Sequence, residues 1–367
     1  MIREPHGGNV YRLAEKLGID ESEIIDFSAS INPLGVPKSV LSEIKDTMKY
    51  LYNYPDPDTK QLRLWIAKQL VINPQSIICG NGSTELIYLM VRALKPEKVL
   101  LPAPTFSEYE RAAGSQKKII HFTLSGSDGF TVNPNEFIGA MSGNAASVSY
   151  KSTLTTSVDM AFLCNPNNPT GRLIPRADLL KIAGAAQNLR CYLVVDEAFI
   201  DFTPADSVVK EVEHNPYLIV LRSLTKFYAL SGLRIGYGVM PLAILDMVKE
   251  AREPWTVNSL AQAAGIAAIN DIAYRDETFR TIRNEKKTLE DGFKLLGIDY
   301  FPSAANYYLI RLNNAQKVIT ALRNKGILVR DCSNFTGLDE TYIRVAVKSN
   351  KDNMRLLQEL ANLCMAS

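Results

Sequence analysis

Short apolar runs recur along this chain at intervals that leave room for a helix between most of them. That alternation constrains the fold more than any other feature. The runs lie at 76–79, 98–101, 119–123, 160–164, 192–195, 218–221 and 235–239, and several are apolar throughout. A strand buried on both faces reads as a continuous apolar run, whereas a half-buried one alternates. Helical patterns follow at 85–94, 107–113 and 176–188. The pattern predicts an α/β fold, a mostly parallel mixed sheet flanked by helices. Helices are also expected at 11–17, 38–50 and 59–70. After residue 241 a long helical region (242–296) leads to two more strand-like runs, YYLIRL and TYIRVAV, and to helical patterns at 315–325 and 351–365. We divide the chain into an N-terminal arm (1–37), a large domain (38–245) and a smaller C-terminal α/β domain (246–367). The Ser/Thr/Ala-rich stretch 141–157 is expected to be an exposed loop.

Composition narrows the functional classes. The formal charge is only +2, so nothing global points to nucleic acid or a membrane surface. An anion site must therefore be local. The five cysteines are scattered without a CxxC pair, and the three histidines lack metal-ligand spacing, so neither a disulfide framework nor a metal is expected. No apolar run approaches a membrane span and the N-terminus has no signal-like apolar core; a cytoplasmic location is expected.

Open parallel sheets bind ligands beyond the carboxyl ends of their strands, so the residues following each run matter most. After SIIC comes Gly80-Asn81-Gly82-Ser83-Thr84-Glu85, then a helix. Such a start can hold a phosphate on free N–H groups, and it also fits a plain glycine turn with a hydroxyl cap. After KVLLP comes Phe106, either core or a plate for a flat ring. After MAFLC comes Asn165-Pro166-Asn167-Asn168-Pro169-Thr170-Gly171, whose asparagines exceed what a turn requires and include a side-chain amide suited to a phenolate oxygen. After YLVV come Asp196 and Glu197, either an ion-pair or capping group or a carboxylate for a protonated ring nitrogen. After LIVL come Arg222-Ser223-Leu224-Thr225-Lys226, and a lysine lodged there loses solvation and becomes an amine nucleophile. Arg234 directly precedes the next run. Phosphate cradle, ring plate, amide, acid, lysine and arginine together complement pyridoxal phosphate.

NPNNPTG, DEAF, SLTKF and GLRIGYG in this order resemble the fold-type I pyridoxal-phosphate enzymes of the aminotransferase class I/II superfamily, over nearly the whole chain. HGGN (6–9), IIDFSASINPLG (24–35), YPDPD (54–58), PWTVN (254–258) and YIRVAVKS are similar, more narrowly, to the branch that decarboxylates phosphothreonine in cobalamin biosynthesis. Histidinol-phosphate aminotransferases share much of this framework. The resemblance implies decarboxylation of L-threonine O-3-phosphate to (R)-1-amino-2-propanol O-2-phosphate, with amino-acid transamination as the alternative. Phe199 favours decarboxylation, since aminotransferases of this group usually carry a tyrosine there. Ser30 stands where the pattern usually has asparagine. Carried over by position, Lys226 is the Schiff-base lysine and Asp196 the partner of the pyridinium nitrogen. Asn168 donates to the phenolate oxygen and Phe106 stacks on the ring. Ser83, Thr84, Ser223 and Arg234 bind the cofactor phosphate, with Tyr54 reaching it from the second subunit of a homodimer. Asn32 and Arg344 hold the substrate carboxylate, and His6 and Arg330 its phosphate. The arm then joins the small domain and the active site.

Overall fold

The computed structural model describes residues 6–114, 118–143 and 157–365, without the side chains of residues 364 and 365. In chain order the strands are β1 (Ile25–Asp26), β2 (Ile77–Asn81), β3 (Lys98–Ala103), β4 (Lys118–Thr123), β5 (Met160–Cys164), β6 (Tyr192–Asp196), β7 (Leu218–Ser223), β8 (Ile235–Val239), β9 (Asp299–Tyr300), β10 (Tyr307–Arg311), β11 (Ile327–Leu328), β12 (Arg330–Asp331) and β13 (Tyr342–Ala346). The helices are α1 (Val10–Leu17), α2 (Lys38–Thr47), α3 (Lys60–Leu70), α4 (Gly82–Leu94), α5 (Glu108–Ala113), α6 (Pro134–Met141), α7 (Arg176–Leu189), α8 (Leu224–Phe227), α9 (Leu242–Glu250), α10 (Ser259–Asn270), α11 (Ile272–Leu295), α12 (Ala315–Asn324) and α13 (Asn350–Met365).

All seven expected apolar runs become the main sheet, in the order β2-β8-β7-β6-β5-β3-β4. Strands β3 to β7 run parallel, whereas β8 is antiparallel to both neighbours. Their continuous apolarity has a direct cause: alternate residues of one strand feed two separate cores. Ile77, Leu100, Leu163, Val195 and Val220 face one core, while Ile78, Leu101, Phe162, Val194 and Ile219 face the other. On the second face α4 buries Leu86, Ile87, Met90 and Val91.

The single reversed strand decides where the ligand edge lies. The carboxyl ends of β2, β3, β5, β6 and β7 share one edge with the amino end of β8. Arg234 therefore emerges beside residues that follow the other strands.

A second, antiparallel sheet has the order β12-β13-β10-β9, and its core contains Phe293, Tyr308, Ile310, Leu322, Ile343, Val345 and Leu356. Phe27 from the N-terminal segment is buried in that core, and β1 pairs in parallel with β11. The helical region 242–296 resolves into three helices. Asn258 caps α10 by accepting from Ala261 N, and Asp271 caps α11 by accepting from Tyr274 N. Buried residues of α10 (Ala261, Ala264 and Ala268) join Val40 and Leu62 in the core of the main sheet. The stretch 141–157, expected as a loop, lies mostly outside the described residues, and Met141, its first residue, is fully buried at the end of α6. The four cysteines with described side chains are buried and unpaired. No helix among the described residues is long and apolar enough to cross a membrane.

Candidate active site

Eleven of the thirteen expected site residues meet around one cavity of about 390 Å³ at this sheet edge: His6, Ser83, Thr84, Phe106, Asn168, Asp196, Ser223, Lys226, Arg234, Arg330 and Arg344. Asn32 and Tyr54 do not line it.

The anion cradle comes from local geometry. Gly82 has φ +71°, and a Cβ added there would lie 2.6 Å from Arg234 Nη2. The backbone must therefore come that close to the guanidinium, which glycine alone permits without strain. Asn81 places no side chain on the first turn of α4, so, apart from Gly82 N, which donates to Arg234 O at 3.0 Å, the N–H groups at that helix start are open to a ligand. Ser223 Oγ lies 2.7 Å from Thr225 Oγ1, adding two hydroxyls at the start of α8.

Lys226 sits partly buried above the Phe199 ring, 5.9 Å from its centroid. Burial, with the charges of Arg344 and Arg234, lowers its pKa to about 8, against the opposing pull of Asp196 and Asp26. Far more of the amine is thus neutral, and nucleophilic, near neutral pH than for an exposed lysine.

Asp196 ends β6 and is 3 % exposed. Burial raises its pKa to about 6, although Tyr109 Oη donates to it at 2.8 Å and Ala198 N at 3.1 Å. A buried carboxylate with so few donors favours a nearby cation, and a protonated ring nitrogen meets that need. Its neighbour Glu197 has a different task. It accepts from Arg222 Nη1 at 2.9 Å while Arg222 Nη2 donates to Asp201 at 2.9 Å, a buried network beneath the lysine segment. Of the two acids behind YLVV, one therefore faces the cavity and the other supports the loop.

The asparagines divide similarly. Asn165 pairs with the backbone of Ile174, and Asn167 with Thr105, Pro104 and Thr170. Only Asn168 lines the cavity. Its Oδ1 accepts from Arg344 Nη1, leaving the NH2 group to donate to a ligand. Arg344 also donates to Ser28 O at 2.8 Å and lies over the Tyr307 ring. Its Nε is buried without a partner among the described residues, as is Ser30 Oγ on the same cavity wall. Both residues line the cavity, so these atoms can serve a polar ligand there.

Arg330 reaches the cavity from β12 and donates to Asp331 O at 2.7 Å and Asn334 Oδ1 at 2.8 Å. His6 comes from the arm and meets Glu108 at 2.9 Å. Two of the expected residues have other surroundings within this chain. Asn32, expected to hold a carboxylate, spends both amide hydrogens on Phe227 O (2.7 Å) and Thr278 Oγ1 (2.8 Å). Its N–H donates to Lys226 O at 3.1 Å, so within this chain it positions the lysine segment. Tyr54 is 80 % exposed and stacked on Trp255, away from this chain's cavity. Sequence reasoning missed Tyr109, Glu108 and Ser30. The first two sit one turn past the Phe106 it did select, and the departure at Ser30 was noted without a role.

Residues 22–360 match the family described as Aminotransferase class I and II. The chain is 37% identical to the threonine-phosphate decarboxylase of Salmonella typhimurium, covering 99% of this chain and 97% of that one. Among solved structures it is similar to the histidinol-phosphate aminotransferase of Clostridium acetobutylicum, with TM-score 0.85 and 31% identity over 94% of this chain and 100% of that one. It is also similar to the L-threonine-O-3-phosphate decarboxylase of Porphyromonas gingivalis, with TM-score 0.78 and 26% identity over 93% and 100%. The strand order, the reversed β8 and the cavity at the strand ends are thus those of the fold-type I pyridoxal-phosphate-dependent enzymes, and the chain belongs to the aminotransferase class I and II family.

Proposed function

We propose that the chain binds pyridoxal 5'-phosphate through Lys226 and decarboxylates L-threonine O-3-phosphate to (R)-1-amino-2-propanol O-2-phosphate, a reaction of cobalamin biosynthesis. One observation carries this reading: a single cavity holds two separate sets of anion-binding groups. Arg234 with the first turn of α4 comes from the main sheet, and Arg330 with His6 comes from the second sheet and the arm. A phosphorylated cofactor and a phosphorylated substrate require both. The similarity to the Salmonella decarboxylase over almost the full chain supports the same conclusion.

The open turn of α4, the glycine that a Cβ would fill, and buried Asp196 all fit the cofactor. Ser83, Thr84, Ser223 and Arg234 would hold its phosphate, Phe106 would cover its ring, Asp196 would pair with its ring nitrogen and Asn168 would donate to its phenolate oxygen. When bound, it supplies an electron sink that weakens bonds to the substrate's Cα. Which bond breaks is set by orientation, and orientation is what the chain's residues provide. Arg344 Nε and Ser30 Oγ would take the substrate carboxylate, and Arg330 with His6 its phosphate, fixing the substrate at both ends. Phe199 offers no hydroxyl beside the ring. The amine of Lys226, with its pKa near neutrality, can hold a proton and deliver it to Cα after CO2 departs.

We further propose a homodimer in which Tyr54 of each chain serves the other's cofactor phosphate, which accords with its exposure here. The division into arm, large and small domains stands as a proposal, as does a cytoplasmic location, which suits buried unpaired thiols. The test is incubation of the cofactor-loaded protein with O-phospho-L-threonine, measuring CO2 and amine formed. Absence of CO2, together with amino transfer from histidinol phosphate to 2-oxoglutarate, would replace this reading with the aminotransferase one.

A further inference from the structure

We infer that Glu108 is a positioning residue that fixes the tautomer of His6 and stabilises its protonated form when a phosphate group binds. The inference rests on the reading of His6 and Arg330 as the substrate-phosphate site. Glu108 lies on the cavity wall at the start of α5, and its side chain is only 8% exposed. A buried carboxylate beside a site for a dianion is unfavourable unless it has another task, so its contacts matter. Oε2 accepts from Tyr88 Oη at 2.7 Å, and Oε1 accepts from Arg111 Nη1 at 2.8 Å and lies 2.9 Å from His6 Nε2. These donors hold Glu108 ionised, below the ordinary carboxylate range, although burial pushes it upward.

An ionised carboxylate only accepts hydrogen bonds, so the 2.9 Å contact requires a hydrogen on Nε2. Arg111 Nη1 also lies 3.4 Å from the same nitrogen and could donate only to a bare Nε2, but it already donates to the shared Oε1 at 2.8 Å, and the shorter charge-assisted contact of Nε2 with Glu108 outweighs that longer one. The neutral ring therefore keeps its lone pair on Nδ1, for which no hydrogen-bond partner occurs among the described residues. The charges around His6 oppose one another. Burial favours the neutral ring, Glu108 favours the charged ring, and Arg330 and Arg111 again favour the neutral one, leaving its pKa below 6.5. A phosphate ester titrates near pH 6. Its arrival adds the negative charge that tips the ring toward imidazolium, with Nδ1–H on the phosphate and Nε2–H on Glu108. The proton is taken up from solvent or brought by the monoanionic ester. A carboxylate behind an imidazole orients the ring and supports its charge.

The arm is built to bring His6 there. Gly8 N donates to Ser28 Oγ at 2.7 Å, and a Cβ on Gly7 would lie 2.3 Å from Ser28 O. Only glycine allows that approach.

The test combines Glu108→Gln, His6→Asn and the double variant in the cofactor-loaded protein. Glu108→Gln should raise KM for O-phospho-L-threonine about tenfold, as expected for loss of one charge-assisted hydrogen bond, with a much smaller change in kcat. In the His6→Asn background the same change should add little. KM of Glu108→Gln should also climb from a lower pH than wild type, because His6 then faces Arg111 and Arg330 without a counter-charge. Nitrogen NMR of histidine-labelled protein, with only three histidines to assign, should show His6 as the Nε2–H tautomer in wild type and a mixture in Glu108→Gln. Additive KM effects, or an unchanged His6 tautomer in a variant that melts like wild type, would overturn the inference. Wild-type protein that releases no CO2 from phosphothreonine would instead overturn the functional reading, and the tautomer measurement would still stand.

Discussion

Asp196 should make the cofactor-free protein less stable at neutral pH than it would be with a neutral side chain in its place. In an unfolded chain this carboxyl titrates near 3.8, whereas burial in the folded chain raises it to about 6. Between those values the folded state holds a proton that the unfolded state has released, so stability falls as pH rises through this window. At about 1.4 kcal/mol per tenfold change, the full cost is about 3 kcal/mol, nearly complete by pH 7.5 and about half expressed at pH 5. Asp196→Asn removes the titration but keeps a group able to bond both Tyr109 Oη and Ala198 N. Its own desolvation cost does not vary with pH, and groups uncoupled from Asp196 cancel between the two proteins. Lys226, which the Asp196 charge keeps protonated, loses its proton more readily in Asp196→Asn and shifts the difference in the same direction. The assay is urea unfolding of both proteins, stripped of cofactor, at pH 5 and 7.5. The stability of Asp196→Asn relative to wild type should increase by about 1.5 kcal/mol between these pH values. Saturating pyridoxal phosphate should reverse the ranking, because only the carboxylate pairs with a protonated ring nitrogen. A relative stability that stays flat or falls between pH 5 and 7.5 would refute the reasoning.

Labelling of the cofactor-free protein with an amine reagent, mapped by mass spectrometry, should show Lys226 gaining reactivity through a midpoint near pH 8, well before exposed lysines, reflecting its burial beside Arg344 and Arg234. Gly82→Ala should weaken cofactor binding about tenfold, measured by titration of the bound chromophore, because its Cβ would meet Arg234 and its φ of +71° disfavours a side chain. Arg344→Lys should raise KM for the amino-acid substrate by roughly tenfold or more, since a lysine cannot reproduce the contacts to Asn168 and Ser28 together with an open Nε.

Which parts of this site the sequence made legible follows from how each residue acquires its role. Lys226, Asp196, Ser83, Asn168 and Arg234 each lie within a few residues of an apolar run. Once those runs form one sheet, position along the chain alone brings these residues to a shared edge. Arg234 needed one further fact, that β8 runs backwards, and the resemblance supplied its role before the topology explained it. Glu108 and Tyr109 acquire roles through partners distant in sequence, and Ser30 through a cavity whose other walls are distant from it in sequence. Tyr109 reaches Asp196 across 87 residues and His6 reaches Glu108 across more than a hundred, and neither pairing leaves a local pattern. Asn32 shows the opposite limit. Position placed it at the site, but its two amide hydrogens were already taken by Phe227 and Thr278, which no motif reveals. Tyr54 is different again, because its proposed ligand belongs to a second copy of the chain. The meeting of Lys226 and Asp196 is therefore a consequence of sheet topology, whereas Arg330 and His6 reach the same cavity only through the second sheet and the arm. On the proposed reading these elements orient the substrate, which sets the bond that breaks, and the Glu108–His6 contact fastens the arm among them.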